Sequence, residues 1–152
     1  MSTPVLTPFG GTAVALSDVP DPVFAQGMLG PGAAVIPDDD VAHLTVVAPI
    51  SGTVMKAMPH AVALVAESGL GVLVHVGIDT VQLKGAGFEV LVEKRQTVTA
   101  GQAMLHVDAA AVRAQGYNLI SPVVLMDGDS GQITQPTVGL VVPGQPLFQL
   151  ST

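Results

Sequence analysis

Glycine (17) and proline (12) punctuate this 152-residue chain at short intervals, and the runs between them are rich in valine, leucine and threonine. Proline fixes φ and removes a backbone donor, glycine weakens helix interiors, and β-branched side chains suit a pleated surface. The spacing therefore predicts many short strands rather than helices. Two patterns also recur. Thr7-Pro-Phe-Gly-Gly-Thr12 and Ala48-Pro-Ile-Ser-Gly-Thr53 match at a separation of 41, with a shorter echo at Ser121-Pro-Val-Val124. Val98-Thr-Ala-Gly-Gln-Ala-Met-Leu105 and Val141-Val-Pro-Gly-Gln-Pro-Leu-Phe148 match at a separation of 43. So few repeats do not make a solenoid or propeller. They predict an all-β fold from a duplicated β motif, closed into an antiparallel β-sandwich or flattened barrel in which each half covers the other's sheet edges. Only Ala109-Ala-Ala-Val-Arg-Ala-Gln115, between Asp108 as cap and Gly116 as stop, has helix-forming residues in sequence, and the turn Asp18-Val-Pro-Asp-Pro-Val-Phe24 leads into one expected helical turn around Phe24–Met28. One or two short helices is the limit.

At this length the chain reads as a single domain over residues 1–152, with its motifs between about 7 and 150, burying ~70% of the surface that its unfolded form exposes. Apolar residues make up 49%, so strands must be covered on both faces or dock against a partner. A net charge of −7 with only five basic residues excludes a nucleic-acid footprint and suits a basic protein partner or a small ligand. No apolar run approaches the ~20 residues of a membrane span, and the first motif begins too early for an amphipathic leader. A cytoplasmic protein without direct membrane insertion is expected. The three adjacent carboxylates Asp38–Asp40 lack further oxygen ligands at loop spacing and read as a solvated turn.

Chemistry concentrates in Leu73-Val-His-Val-Gly-Ile-Asp-Thr-Val-Gln-Leu-Lys84, an apolar run carrying an imidazole and then a carboxylate. Residues 61–66 and 72–77 form a predicted hairpin joined by Glu67-Ser-Gly-Leu-Gly71. With His75 opposite Val62, His60 falls on the same face and diagonal to it, roughly 7 Å away. Paired imidazoles support phosphoryl transfer, in which one ring attacks and the other holds phosphate oxygens, or zinc, with Asp79 or a water completing the ligands. No glycine-rich loop with lysine cradles a nucleotide, so any phosphoryl group comes from another protein.

These residues, with Asp18-Val-Pro-Asp-Pro-Val-Phe-Ala25, Ala48-Pro-Ile-Ser-Gly-Thr53, Pro59-His-Ala61 and Ser121-Pro-Val-Val124, resemble the glucose-family enzyme IIA of the bacterial sugar phosphotransferase system. The likeness runs from about Thr7 to Leu150, with five motifs in the family's order. It implies a phosphotransferase component with the family's all-β duplicated barrel-sandwich fold, in agreement with the repeats. By the resemblance, His75 is phosphorylated by the histidine-containing phosphocarrier protein HPr and passes the group to a cysteine of an enzyme IIB domain. His60 is then its active-site partner and Asp79 a docking-rim residue. No cofactor is implied, and zinc at His60 and His75 is an option rather than a requirement. Leu73 and Val76 stand where the family commonly has phenylalanines, implying an aliphatic docking rim, and Met58 stands where it often has a threonine. Two other readings compete: a zinc-dependent peptidase of related topology using His75, Asp79 and a histidine such as His106, or a biotinyl- or lipoyl-type carrier modified on Lys56 of Val54-Met-Lys-Ala57.

Overall fold

A computed structural model describes residues 2–151. In chain order the elements are β1 (Ser2–Leu6), β2 (Gly11–Ala15), α1 (Pro22–Ala25), β3 (Gly32–Pro37), β4 (His43–Val47), β5 (Gly52–Met58), β6 (Ala61–Val65) and β7 (Gly71–His75). There follow β8 (Phe88–Val90), β9 (Thr97–Val98), β10 (Ala103–Asp108), α2 (Ala109–Ala114), β11 (Ser121–Met126), β12 (Ile133–Thr134), β13 (Gly139–Val141) and β14 (Pro146–Ser151). The class is all-β. An eight-stranded sheet, ordered β13-β2-β3-β11-β7-β6-β5-β9, packs against two three-stranded sheets, β4-β10-β8 and β1-β14-β12. The strands pair antiparallel and none of the sheets closes on itself, so the fold is a sandwich rather than a closed barrel.

The sequence duplication is visible in this order. β2, β3, β11 and β13 occupy one half of the large sheet as β5, β6, β7 and β9 occupy the other, and β1-β14-β12 corresponds to β4-β10-β8. The repeated glycine has a steric cause, because a Cβ on Gly11 would stand 2.1 Å from the Ile36 carbonyl oxygen and one on Gly52 2.3 Å from that of Val65. The repeated glutamine closes a turn in each half. Thr99 N–H donates to Gln102 Oε1 at 3.1 Å, and Val142 N–H to Gln145 Oε1 at 3.0 Å.

β6 and β11 of the large sheet are buried almost end to end, which accounts for their continuous apolar runs. One face forms the main core with the small sheets, through side chains such as Val62, Leu64, Val74, Leu105 and Phe148. The other face carries a second cluster of Leu16, Val19, Phe24, Ala34, Ile78, Ile120 and Val124, laid down by the segment containing α1. Fully burying a side chain such as Phe24 contributes about 2–3 kcal/mol. Both helices start at aspartate caps: Asp21 accepts from Val23 N–H at 2.9 Å ahead of Pro22, and Asp108 accepts from Ala111 N–H at 3.0 Å. Among the described residues no helix is long and apolar enough to cross a membrane.

Candidate functional site

His75 ends β7, where alternation in Gly71–His75 sends Val72 and Val74 into the core and His75 to the opposite, half-buried face. Its ring Nδ1 lies 2.7 Å from the carbonyl oxygen of Gly77. A carbonyl only accepts, so Nδ1 carries the proton and Nε2 presents a lone pair. That bond depends on the backbone turning back after the strand. Gly77 has φ +75°, and a Cβ there would lie 2.6 Å from Thr80 Cγ2 and 3.0 Å from the Asn118 carbonyl oxygen. Buried hydroxyls hold the turn: Gly77 N–H donates to Ser121 Oγ at 3.2 Å, Ser121 Oγ to the Leu119 carbonyl at 2.8 Å, and Thr80 Oγ1 to the Val76 carbonyl at 2.6 Å. Neither hydroxyl was singled out from sequence. The echo Ser121-Pro-Val-Val124 was the only signal that could have marked Ser121.

The structure brings His60 to His75, with ring centroids 5.3 Å apart and planes at 74°. The route differs from the expected one. His75 pairs with Ala61, not Val62, so the register is one residue from that inferred. In a continued strand this slip would put His60 on the far face. His60 instead occupies the tight turn between Met58 and Ala61, whose departure from strand geometry swings its ring back, while its carbonyl accepts from Val76 N–H at 2.7 Å.

Phe24 of α1 also packs against His75, with centroids 5.0 Å apart at 55°. The aromatic neighbour thus comes from a distant helix, and sequence reasoning missed it. Val76 is corrected as a rim residue: it is fully buried, because the chain turns inward after His75, and it offers a partner no surface. Leu73 is half-buried and packs beneath α1 in the second cluster. Val23, next to Phe24 on α1, and Val81, on the turn following Asp79, are exposed apolar residues. Asp79 is exposed and left-handed, with φ 61°. Met58 is half-buried beside the His60 turn and supplies no hydroxyl.

Burial lowers the pKa of both imidazoles from 6.5 by penalising the charged form. For His75 the Gly77 carbonyl opposes that shift, His60 adds to it, and the carboxylates of Asp21 and Asp79 oppose it more weakly. Both rings are therefore neutral at neutral pH. The arrangement offers an imidazole nucleophile with a fixed tautomer, a second ring able to donate to an oxyanion, and nearby carboxylates that favour positive charge on the first ring.

The competing readings lose their residues here. His106 lies on β10 in another sheet and bonds Glu89 at 3.0 Å, while His43 lies on β4. Among the described residues no group of three or more His, Cys, Asp or Glu side chains is placed to hold a metal. Lys56 lies inside β5 next to a bulge rather than at a hairpin tip.

Residues 3–130 match the model of the family described as phosphoenolpyruvate-dependent sugar phosphotransferase system, EIIA 1. The chain is 50% identical over 123 residues to a mannose-specific EIIBCA component of Corynebacterium glutamicum and 46% identical over 127 residues to a glucose-specific EIIBCA component from the same species. It spans 80% and 82% of itself in these matches but only 17% and 18% of those longer proteins. A glucose-specific EIIA component of Staphylococcus epidermidis is 40% identical over 144 residues, 93% of this chain and 84% of that protein. Among solved structures, the glucose permease IIA of Mycoplasma capricolum superposes with a TM-score of 0.89 at 34% identity, covering 99% of this chain and 97% of that one.

Proposed function

From the premise that this chain belongs to the EIIA 1 family of the phosphoenolpyruvate-dependent sugar phosphotransferase system, whose components are phosphotransferases serving sugar uptake, we propose that His75 is its phosphoryl carrier. HPr is the donor and a cysteine of an enzyme IIB domain the recipient. The observation that carries this reading is the 2.7 Å bond from His75 Nδ1 to the Gly77 carbonyl, which leaves Nε2 as the nucleophile beside His60. In the accepting step Nε2 forms a bond to phosphorus as the donor's phosphorus–nitrogen bond breaks, with no proton transfer at His75. The product ring keeps its Nδ1 proton and gains positive charge, which the Gly77 carbonyl and the carboxylates of Asp21 and Asp79 favour. His60 donates to a phosphoryl oxygen. In the second step the bond to Nε2 breaks as a thiolate sulfur takes the group.

Donor and recipient are both protein side chains, so transfer needs no nucleotide, cofactor or zinc. Val23 and Val81 form the apolar part of the docking face with Leu73 beneath it, and Asp79 meets a basic group of the partner at its rim. The reading places the protein in the cytoplasm, where both partners act.

The test is incubation with phosphoenolpyruvate, enzyme I and HPr, which should add one acid-labile phosphoryl group. His75→Gln should abolish the label, and full labelling of that variant would refute the assignment. His60→Gln should take up phosphate but deliver it poorly to enzyme IIB. Unchanged delivery would remove His60 from the mechanism.

A further inference from the structure

The outermost strand of the large sheet, β13, carries Leu140 at 80% exposure, flanked just outside the strand by Val138 at 76% and Val142 at 64%. Leu140 lies opposite Thr12, and Thr12 opposite the exposed Ile36, so the apolar surface extends inward across the sheet. The internal duplication supplies a control. At the separation of 43, Val138, Leu140 and Val142 correspond to Arg95, Thr97 and Thr99 around β9, the opposite outermost strand, and these three are also exposed. The same fold position is thus filled by polar residues in the other half, as an edge in water requires. The apolar stripe is not a demand of the fold.

Two further features define what fits. At the Val138 end the stripe opens into a cavity of about 290 Å³ lined by Val14, Leu16, Pro31 and Pro136. At the Val142 end, Val142 and Pro143 share a concavity with Asp38, the first of the three exposed carboxylates Asp38–Asp40. The Arg113 guanidinium donates to the main-chain carbonyls of Asp38, Asp39 and Val41, leaving the carboxylates unneutralised by those bonds.

We propose that β13 is a docking edge for an extended segment of a partner protein, basic at its N-terminal end and alternating apolar residues thereafter. The segment adds antiparallel to β13, sets lysine or arginine against Asp38–Asp40, covers Leu140, and seats a terminal apolar side chain in the cavity. A second copy of this chain fits the edge poorly, since each carries a net charge of −7. The surface is separate from the two histidines and the inference does not rest on their role.

The test uses a fluorescent peptide, Lys-Lys-Val-Thr-Val-Thr-Phe, titrated against the whole chain. Saturable binding that weakens with salt is expected. Leu140→Asp should weaken it about tenfold or more, and Asp38→Asn with Asp39→Asn and Asp40→Asn should remove the salt dependence, whereas Thr97→Asp on the opposite edge should change nothing. Leu140→Asp should melt like the parent and accept phosphate normally, because Leu140 is 80% exposed. No saturable binding, equal binding of the reversed sequence, or equal binding by Leu140→Asp would overturn the proposal. So would concentration-dependent dimers abolished by Leu140→Asp, which would assign the edge to a second copy.

Discussion

The tautomer proposed for His75 rests on groups outside the histidine pair. Ser121 Oγ holds the Gly77 amide, Gly77 folds back in the left-handed region, and its carbonyl holds Nδ1. Ser121→Ala leaves the buried Gly77 N–H without its acceptor, a loss of about 1–3 kcal/mol. It should slow phosphoryl uptake while denaturant melts report that destabilisation, and imidazole NMR should show a mixed tautomer at His75. An unchanged tautomer would separate Ser121 from His75. The lowered pKa of His75 also has a sign. A neutral ring is the competent form, so the single-turnover rate of uptake should stay flat as pH falls through 6.5 and decline only below it. The unfolded chain takes up this proton first, so the fold loses stability as pH falls below about 6.5, and His75→Gln should lose less. A rate midpoint at or above 6.5 would contradict the burial argument. At this scale the sequence was legible in identity but not in support, for His75 and His60 announce themselves by type, whereas a serine in an apolar strand does not.

Elements carry what residue types cannot. α1 is only four residues long and would not persist alone, so it is held by its Asp21 cap and by Phe24, which bridges the second cluster and His75. Phe24→Ala should cost about 3 kcal/mol by thermal or denaturant melting and slow transfer from HPr, because the wall beside His75 is lost. Retention of both stability and rate would remove Phe24 from the site. The cap and stop of α2 were readable, since Asp108 and Gly116 are local signals, whereas α1 begins at Pro22 behind its Asp21 cap, earlier than the turn expected around Phe24–Met28. The pairing of β6 and β7 was not readable. Ala61–Leu64 is buried on both faces, so no alternation fixes the register, and a one-residue error followed. The same uniformity hid that Val76 points inward. His60 reached His75 through a turn, which strand arithmetic does not describe.

Across the whole molecule the duplication decides the architecture and then marks where function departs from it. Paired glycines and glutamines at separations of 41 and 43 do identical structural work in each half, so a duplicated β fold was legible from spacing, which left sandwich and flattened barrel open. The histidines break the symmetry. Their site is built where β7, the His60 turn and the segment bearing α1 meet on the outer face of the large sheet, and that meeting is a long-range property. The central claim is that the phosphoryl group resides on Nε2 of His75. Phosphorus NMR of isotope-labelled protein after incubation with phosphoenolpyruvate, enzyme I and HPr measures it directly. Coupling to Nε2 of His75, with Nδ1 still protonated, is the predicted result, and phosphate on Nδ1, on His60 or on no histidine would contradict it.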